Sequence, residues 1–191
     1  SLFQAGLLKP HDQEAATAFL ADHDDVPVTV TQSPNKGGLG YFSPAAGWVS
    51  MANDRLTRFR IDFPVLLSRL MVQADVSSRA GPVALMPNLL WEIGDVRLGR
   101  RTERVSIWFA RRLHDPAVWQ QIANAATVRP AARMRVLLTS TSSDRLPSPL
   151  PGHLLVSVRD VLDHSAGMVV HPDILAARLD GSYRPNVEAA I

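Results

Sequence analysis

Arginine is the residue type with which this sequence has most scope to do chemistry. Of its 20 basic residues only Lys9 and Lys36 are lysine. The guanidinium group is a planar fork that meets phosphate or carboxylate oxygens two at a time. Arg97, Arg100, Arg101 and Arg104 crowd one short stretch, Arg111 and Arg112 follow, and Arg55, Arg58 and Arg60 make a second cluster. Glu92, Asp95 and Glu103 are interspersed, so the same arginines also have acids at hand for internal ion pairs. A GC-rich coding sequence favours Arg over Lys as well. With a net charge of only +2, composition alone does not name a polyanionic partner.

Other constellations are weaker. Glu92 and Asp95 bear on metal-dependent nuclease chemistry, which places carboxylates on adjacent strands to hold a metal, with a lysine to assist the attacking water. Their spacing of three puts them on opposite faces of a regular strand unless a bulge at Gly94 rotates one of them. Trp108 to Arg112 bring neither acid nor lysine, so the expectation there is a nuclease-like scaffold without a complete site. Gly37-Gly38-Leu39-Gly40 has the glycines of a phosphate loop. Tyr41-Phe42 follows where a helix N-terminus would be needed, which makes a turn between strands the expectation. His11, His23, His114, His153, His164 and His171 show no metal-ligand spacing, although His23-Asp24-Asp25 and Asp163-His164 are local acid–His pairs. The lack of cysteine excludes disulfides, thiolate nucleophiles and cysteine zinc sites. There is no Gly-x-Ser-x-Gly elbow. No catalytic residue, cofactor or metal site is expected.

These residues need a scaffold, and the patterning supplies one. Asp12 to Leu20, with acids first and apolar residues at helical spacing, predicts a short helix. Val26 to Thr31 alternates as a strand, with Pro27 at its start or on an edge. Tyr41-Phe42 and Gly47 to Met51 predict short strands. Asp62, Pro64 and the stripe Leu66, Leu67, Leu70, Met71 and Ala74 predict a helix. Val83 to Met86 is a candidate strand. Asn88 to Leu98 and Glu103 to Leu113 predict a long hairpin with its tip at 99–102. Within it Val105, Ile107 and Phe109 share one face, and Trp108 and Ala110 share the other, as in an interior strand. Asp115-Pro116 opens a helix through Ala126. Strands follow at Arg133 to Thr139, His153 to Val158 and Met168 to Val170, with a helix at Pro172 to Leu179.

This order predicts an α/β (α+β) fold with a mixed β-sheet, a central hairpin and helices on at least one face. One globular domain over 1–191 is expected, with a small N-terminal β-meander at 1–60 and the main core at 61–182. Ser1 to Gly6 has no basic start or apolar run, and no segment is long enough to cross a bilayer, so a cytoplasmic protein without membrane contact is expected. The leading functional expectation is a non-catalytic binding or regulatory domain whose hairpin tip offers Arg97, Arg100, Arg101 and Arg104 to nucleic acid. The alternatives are a protein-interaction or self-association domain using Trp48, Trp91, Trp108 and Trp119, residues that core packing equally explains, and an enzyme assembled from loops.

Overall fold

A computed structural model describes residues 6–14, 17–19, 27–33, 37–52, 57–77, 81–99, 101–163 and 169–182. The chain divides into two compact units, 1–62 and 63–191. The fold is α+β.

The first unit is made of short antiparallel strands. β1 (Leu8–Glu14) pairs with β7 (Thr57–Ile61), β2 (Thr17–Phe19) with β3 (Pro27–Thr29), and β4 (Thr31–Gln32), β5 (Leu39–Ser43) and β6 (Gly47–Ser50) form a three-stranded sheet. The helix expected at 12–20 is therefore not formed. Glu14 pairs with Thr57 and Thr17 with Thr29, and ladder bonds to distant strands outweigh a weak local helical pattern. Pro27 begins its strand, as its missing N–H requires. The glycine-rich stretch leads into β5 rather than a helix. Gly40 is needed there, because a Cβ would lie 2.2 Å from the Val49 carbonyl oxygen. Lys9 and Asp62 close the β1–β7 pair with a 2.8 Å ion pair.

The second unit is a six-stranded mixed sheet covered on both faces. Its elements are α1 (Phe63–Leu70), β8 (Asp75–Val76), β9 (Val83–Met86), β10 (Leu90–Arg97), β11 (Arg104–Ala110), α2 (Pro116–Val128), β12 (Arg135–Thr139) and β13 (His153–Ser157). β14 (Leu162–Asp163), β15 (Val169–Val170) and α3 (Pro172–Leu179) complete it. The strand order is β13-β12-β11-β10-β8, with β9 also on β10. The hairpin β10–β11 is antiparallel, whereas β11, β12 and β13 run parallel. The parallel pairs need crossovers, and α2 provides the first.

Period-two alternation assigns the faces. Ile107, Phe109, Val136, Leu138 and Val156 pack with Trp91, Ile93 and Val96 against Leu67 and Leu70 of α1, Met71 just after it, and Leu175 of α3. Trp108, Ala110 and Leu137 face the other way, onto Val118, Ile122 and Ala126, which recur every fourth residue along α2. Each such aliphatic side chain contributes about 1.5–3 kcal/mol on burial. Trp91 and Trp108 sit inside this core. Asp115 caps α2, accepting from the Ala117 and Val118 amides at 3.0 and 3.4 Å, with Pro116 following it.

Candidate functional site

The parallel strands β11, β12 and β13 all finish at one edge of the sheet, the edge where open α/β sheets bind ligands. Three short connections leave it: residues 111–115 toward α2, residues 140–142, and the 3-10 turn Val158–Asp160. Between them lies a cavity of about 410 Å³ lined by Arg111, Arg112, His114, the hydroxyl-bearing loop 140–142, Asp144, Arg145 and Arg159. Four arginines and a single carboxylate-bearing residue, Asp144, thus line it.

The walls are held by hydrogen bonds within the edge. The Leu113 amide donates to Thr141 Oγ1 at 3.0 Å, and the Thr141 amide donates to Thr139 Oγ1 at 3.0 Å. These bonds tie the loop after β12 to the loop after β11. Arg112 takes a left-handed backbone (φ 60), a conformation costly for a residue with a Cβ and concentrated at functional sites. Its guanidinium bonds Asp115 at 2.8 Å. Arg111 lies over the Phe63 ring, 4.7 Å from its centroid, and donates to the Asn88 carbonyl at 3.4 Å. Arg145 is exposed and only 3.9 Å from Asp144, an ion pair that solvent largely screens. Arg159, also exposed, acts on Asp144 through space. The Ser142 hydroxyl bonds Asp144. That bond, with a backbone amide and the charges of Arg145 and Arg159, holds the Asp144 carboxyl below its ordinary range against the opposing effect of burial.

The hairpin tip is built differently. Leu98 is fully buried, and a Cβ on Gly99 would contact Ala176 of α3 at 3.4 Å. Arg101 pairs with Asp180 just beyond α3. Arg97 and Arg104 share Asp75 of β8 at 3.8 and 3.0 Å, and Arg104 also donates to the Asp75 and Asp95 carbonyls at 2.9 and 3.2 Å. Arg100 lies outside the described residues. So the described tip rests on α3 with each arginine next to an acid, rather than standing as a free ribbon.

Glu92 and Asp95 do share a face. The β10–β11 register slips between Glu92 and Gly94, and Gly94 takes φ 127, which a side chain would resist. The extra residue brings Trp91, Ile93 and Val96 onto one face of the sheet and Glu92 and Asp95 onto the other. On that second face Asp95, Ser106, Arg135 and His153 align across four strands. Arg135 is 3% exposed, its guanidinium 3.6 Å from the Trp108 ring centroid. It donates to the Arg129 carbonyl at 2.6 Å and contacts His153 Nε2 at 3.2 Å. Burial lowers its pKa; Glu92 and Asp95 oppose that shift, and the Arg129 charge adds to it. Glu92 is paired with Arg129 at 3.4 Å. Among the described residues no three His, Asp or Glu side chains are placed to hold a metal. Arg55 and the pairs around His23 and His164 lie outside the described residues.

Sequence reasoning placed Arg111 and Arg112 at the far end of the hairpin but missed Arg145 and Arg159. Their signal, two arginines just after separate strand-like runs, acquires meaning only once those strands are known to be parallel neighbours. No described helix is long and apolar enough to cross a membrane. No family model, curated protein or solved structure matches the chain.

Proposed function

We propose that the unit 63–191 is a non-catalytic binding module that grips nucleic acid by its phosphates through Arg111, Arg112, Arg145 and Arg159. The observation that carries this is the charge imbalance at the carboxyl edge: four arginines line one cavity whose lining holds a single acidic residue. Other described arginines of the unit sit closer to acids, Arg101 with Asp180, Arg104 with Asp75 at 3.0 Å and Arg133 with Glu103. Arg145 and Arg159 are exposed, and the contact that Arg145 makes with Asp144 is largely screened by solvent, so an external anion gains these charges with little internal bonding lost. Fluorescence anisotropy with a short single-stranded oligonucleotide tests this. Binding should be tight at low salt, weaken linearly in a plot of log K against log salt, and tolerate changes of sequence. No binding at low salt refutes the proposal.

The alternative of self-association has one observation in its favour. β9 is an edge strand with Val83 52% exposed, and Val128 of α2 is 81% exposed in a groove where Leu85, Met86 and Ala125 are joined by Gln121, Asn124 and Arg129. On that reading, light scattering shows a mass that rises with concentration and returns to the monomer value in Val128→Lys. A constant monomer mass removes it.

A further inference from the structure

We propose that the cavity at the carboxyl edge takes a phosphate monoester, the group that ends a phosphorylated nucleic-acid strand. This deepens the phosphate-binding reading above and depends on it. The first argument is charge. A phosphodiester within a strand carries one negative charge, whereas a monoester carries about −1.5 to −2 at pH 7. Four arginines against Asp144 leave a cation excess of more than one, even after Arg112 is counted as satisfied by Asp115. That excess matches a dianion better than a single diester.

Shape gives the second argument. The arginines are not a stripe along a helix or strand face, which would follow a backbone. They come from three separate connections, after β11, after β12 and after β13, and line one concavity of about 410 Å³. A terminal phosphate offers three free oxygens to such a ring of donors, whereas an internal one offers two on the outside of a chain.

The third argument is the donor inventory. Thr141 Oγ1 already accepts from the Leu113 amide, so its hydroxyl hydrogen remains to be donated. Thr141 thus adds a hydroxyl donor to the guanidinium donors, and the loop's bonds to Thr139 and Leu113 fix it before any ligand arrives.

The same chemistry has two sources, a strand end or a free mononucleotide. The test compares two short single-stranded oligonucleotides of one sequence, with a 5′-phosphate or a 5′-hydroxyl, each labelled at the other end. The phosphorylated strand should bind about tenfold tighter, the return from one further charge-assisted pair. In the double variant Arg145→Gln with Arg159→Gln that preference should vanish, whereas Arg101→Gln should keep it. Adenosine monophosphate displacing the phosphorylated strand identifies the monoester itself as the ligand. A preference for the phosphorylated end without displacement assigns the site to strand ends. Equal affinity for the two ends overturns the proposal. If that equal binding is still salt-sensitive and weakened in the double variant, the backbone reading stands without it. If neither strand binds at low salt, both fall.

Discussion

Replacing Arg145 and Arg159 together by glutamine removes two of the four cavity arginines at little structural cost. Both side chains are exposed, and the ion pair lost among the described residues is the solvent-screened contact between Arg145 and Asp144 at 3.9 Å. Arg111 and Arg112 are poorer choices, because one packs on Phe63 and the other bonds the cap of α2. Each phosphate neutralised on a single strand contributes about −0.7 to the slope of log K against log salt. On the backbone reading, in which Arg145 and Arg159 each neutralise one phosphate, losing both contacts should flatten that slope by about 1.4. Between about 50 and 200 mM salt this amounts to roughly sevenfold less loss of affinity than in the parent protein. Anisotropy titrations at several salt concentrations measure the slope directly, with circular dichroism confirming that the fold and its melting temperature are retained. Arg101→Gln is the control, since Arg101 already has Asp180 as its counter-ion. An unchanged slope in the double variant, or equal flattening in Arg101→Gln, refutes the assignment of phosphate contacts to the carboxyl edge.

Three further outcomes follow from the packing. Leu98→Ala empties a fully buried site under the hairpin tip and should cost about 2–5 kcal/mol in urea unfolding; a loss within error would show that the tip is not anchored. Gly94→Ala forces a side chain onto φ 127 and should destabilise by about 1–3 kcal/mol, whereas an unaffected midpoint argues against the bulge. The Asp115 carboxyl sits below its ordinary value of 3.8, chiefly through the Val118 amide, with the Ala117 amide and Arg112 assisting against the effect of burial. A depressed folded-state value stabilises the fold above the ordinary value and loses that effect as pH falls through the depressed one. The parent should therefore melt higher than Asp115→Asn at neutral pH, and the gap should close below about pH 4; a gap independent of pH contradicts this.

The elements of the second unit were largely legible because their signals are local. Asp115-Pro116 marks the start of α2 by itself, since a capping carboxylate and a missing N–H act within one turn. The alternation through Val105, Ile107 and Phe109 identified β11 and its two buried faces, because side-chain direction in a strand follows from covalent geometry. A bulge at Gly94 was foreseeable from the one residue that tolerates it. The stretch from Asp12 to Leu20 failed for the complementary reason. Its acids and apolar residues satisfy a helical pattern, but β3 a few residues on and β7 far along the chain offered ladders. No local window contains that competition.

The candidate site divides along the same line. That arginines carry the available chemistry was written in the sequence, and so was the presence of acids among them. Which arginines lose their charge to a neighbour was decided by the tertiary structure. Asp75 and Asp180 are distant in sequence from Arg104 and Arg101, yet the fold sets them in contact. Arg112, Arg145 and Arg159 are also far apart along the chain, and parallel strands bring them to one edge. Secondary-structure signals act over a few residues and survive in any context. Ion pairing falls off within a few ångströms in water, so it depends on distances that only the completed fold sets.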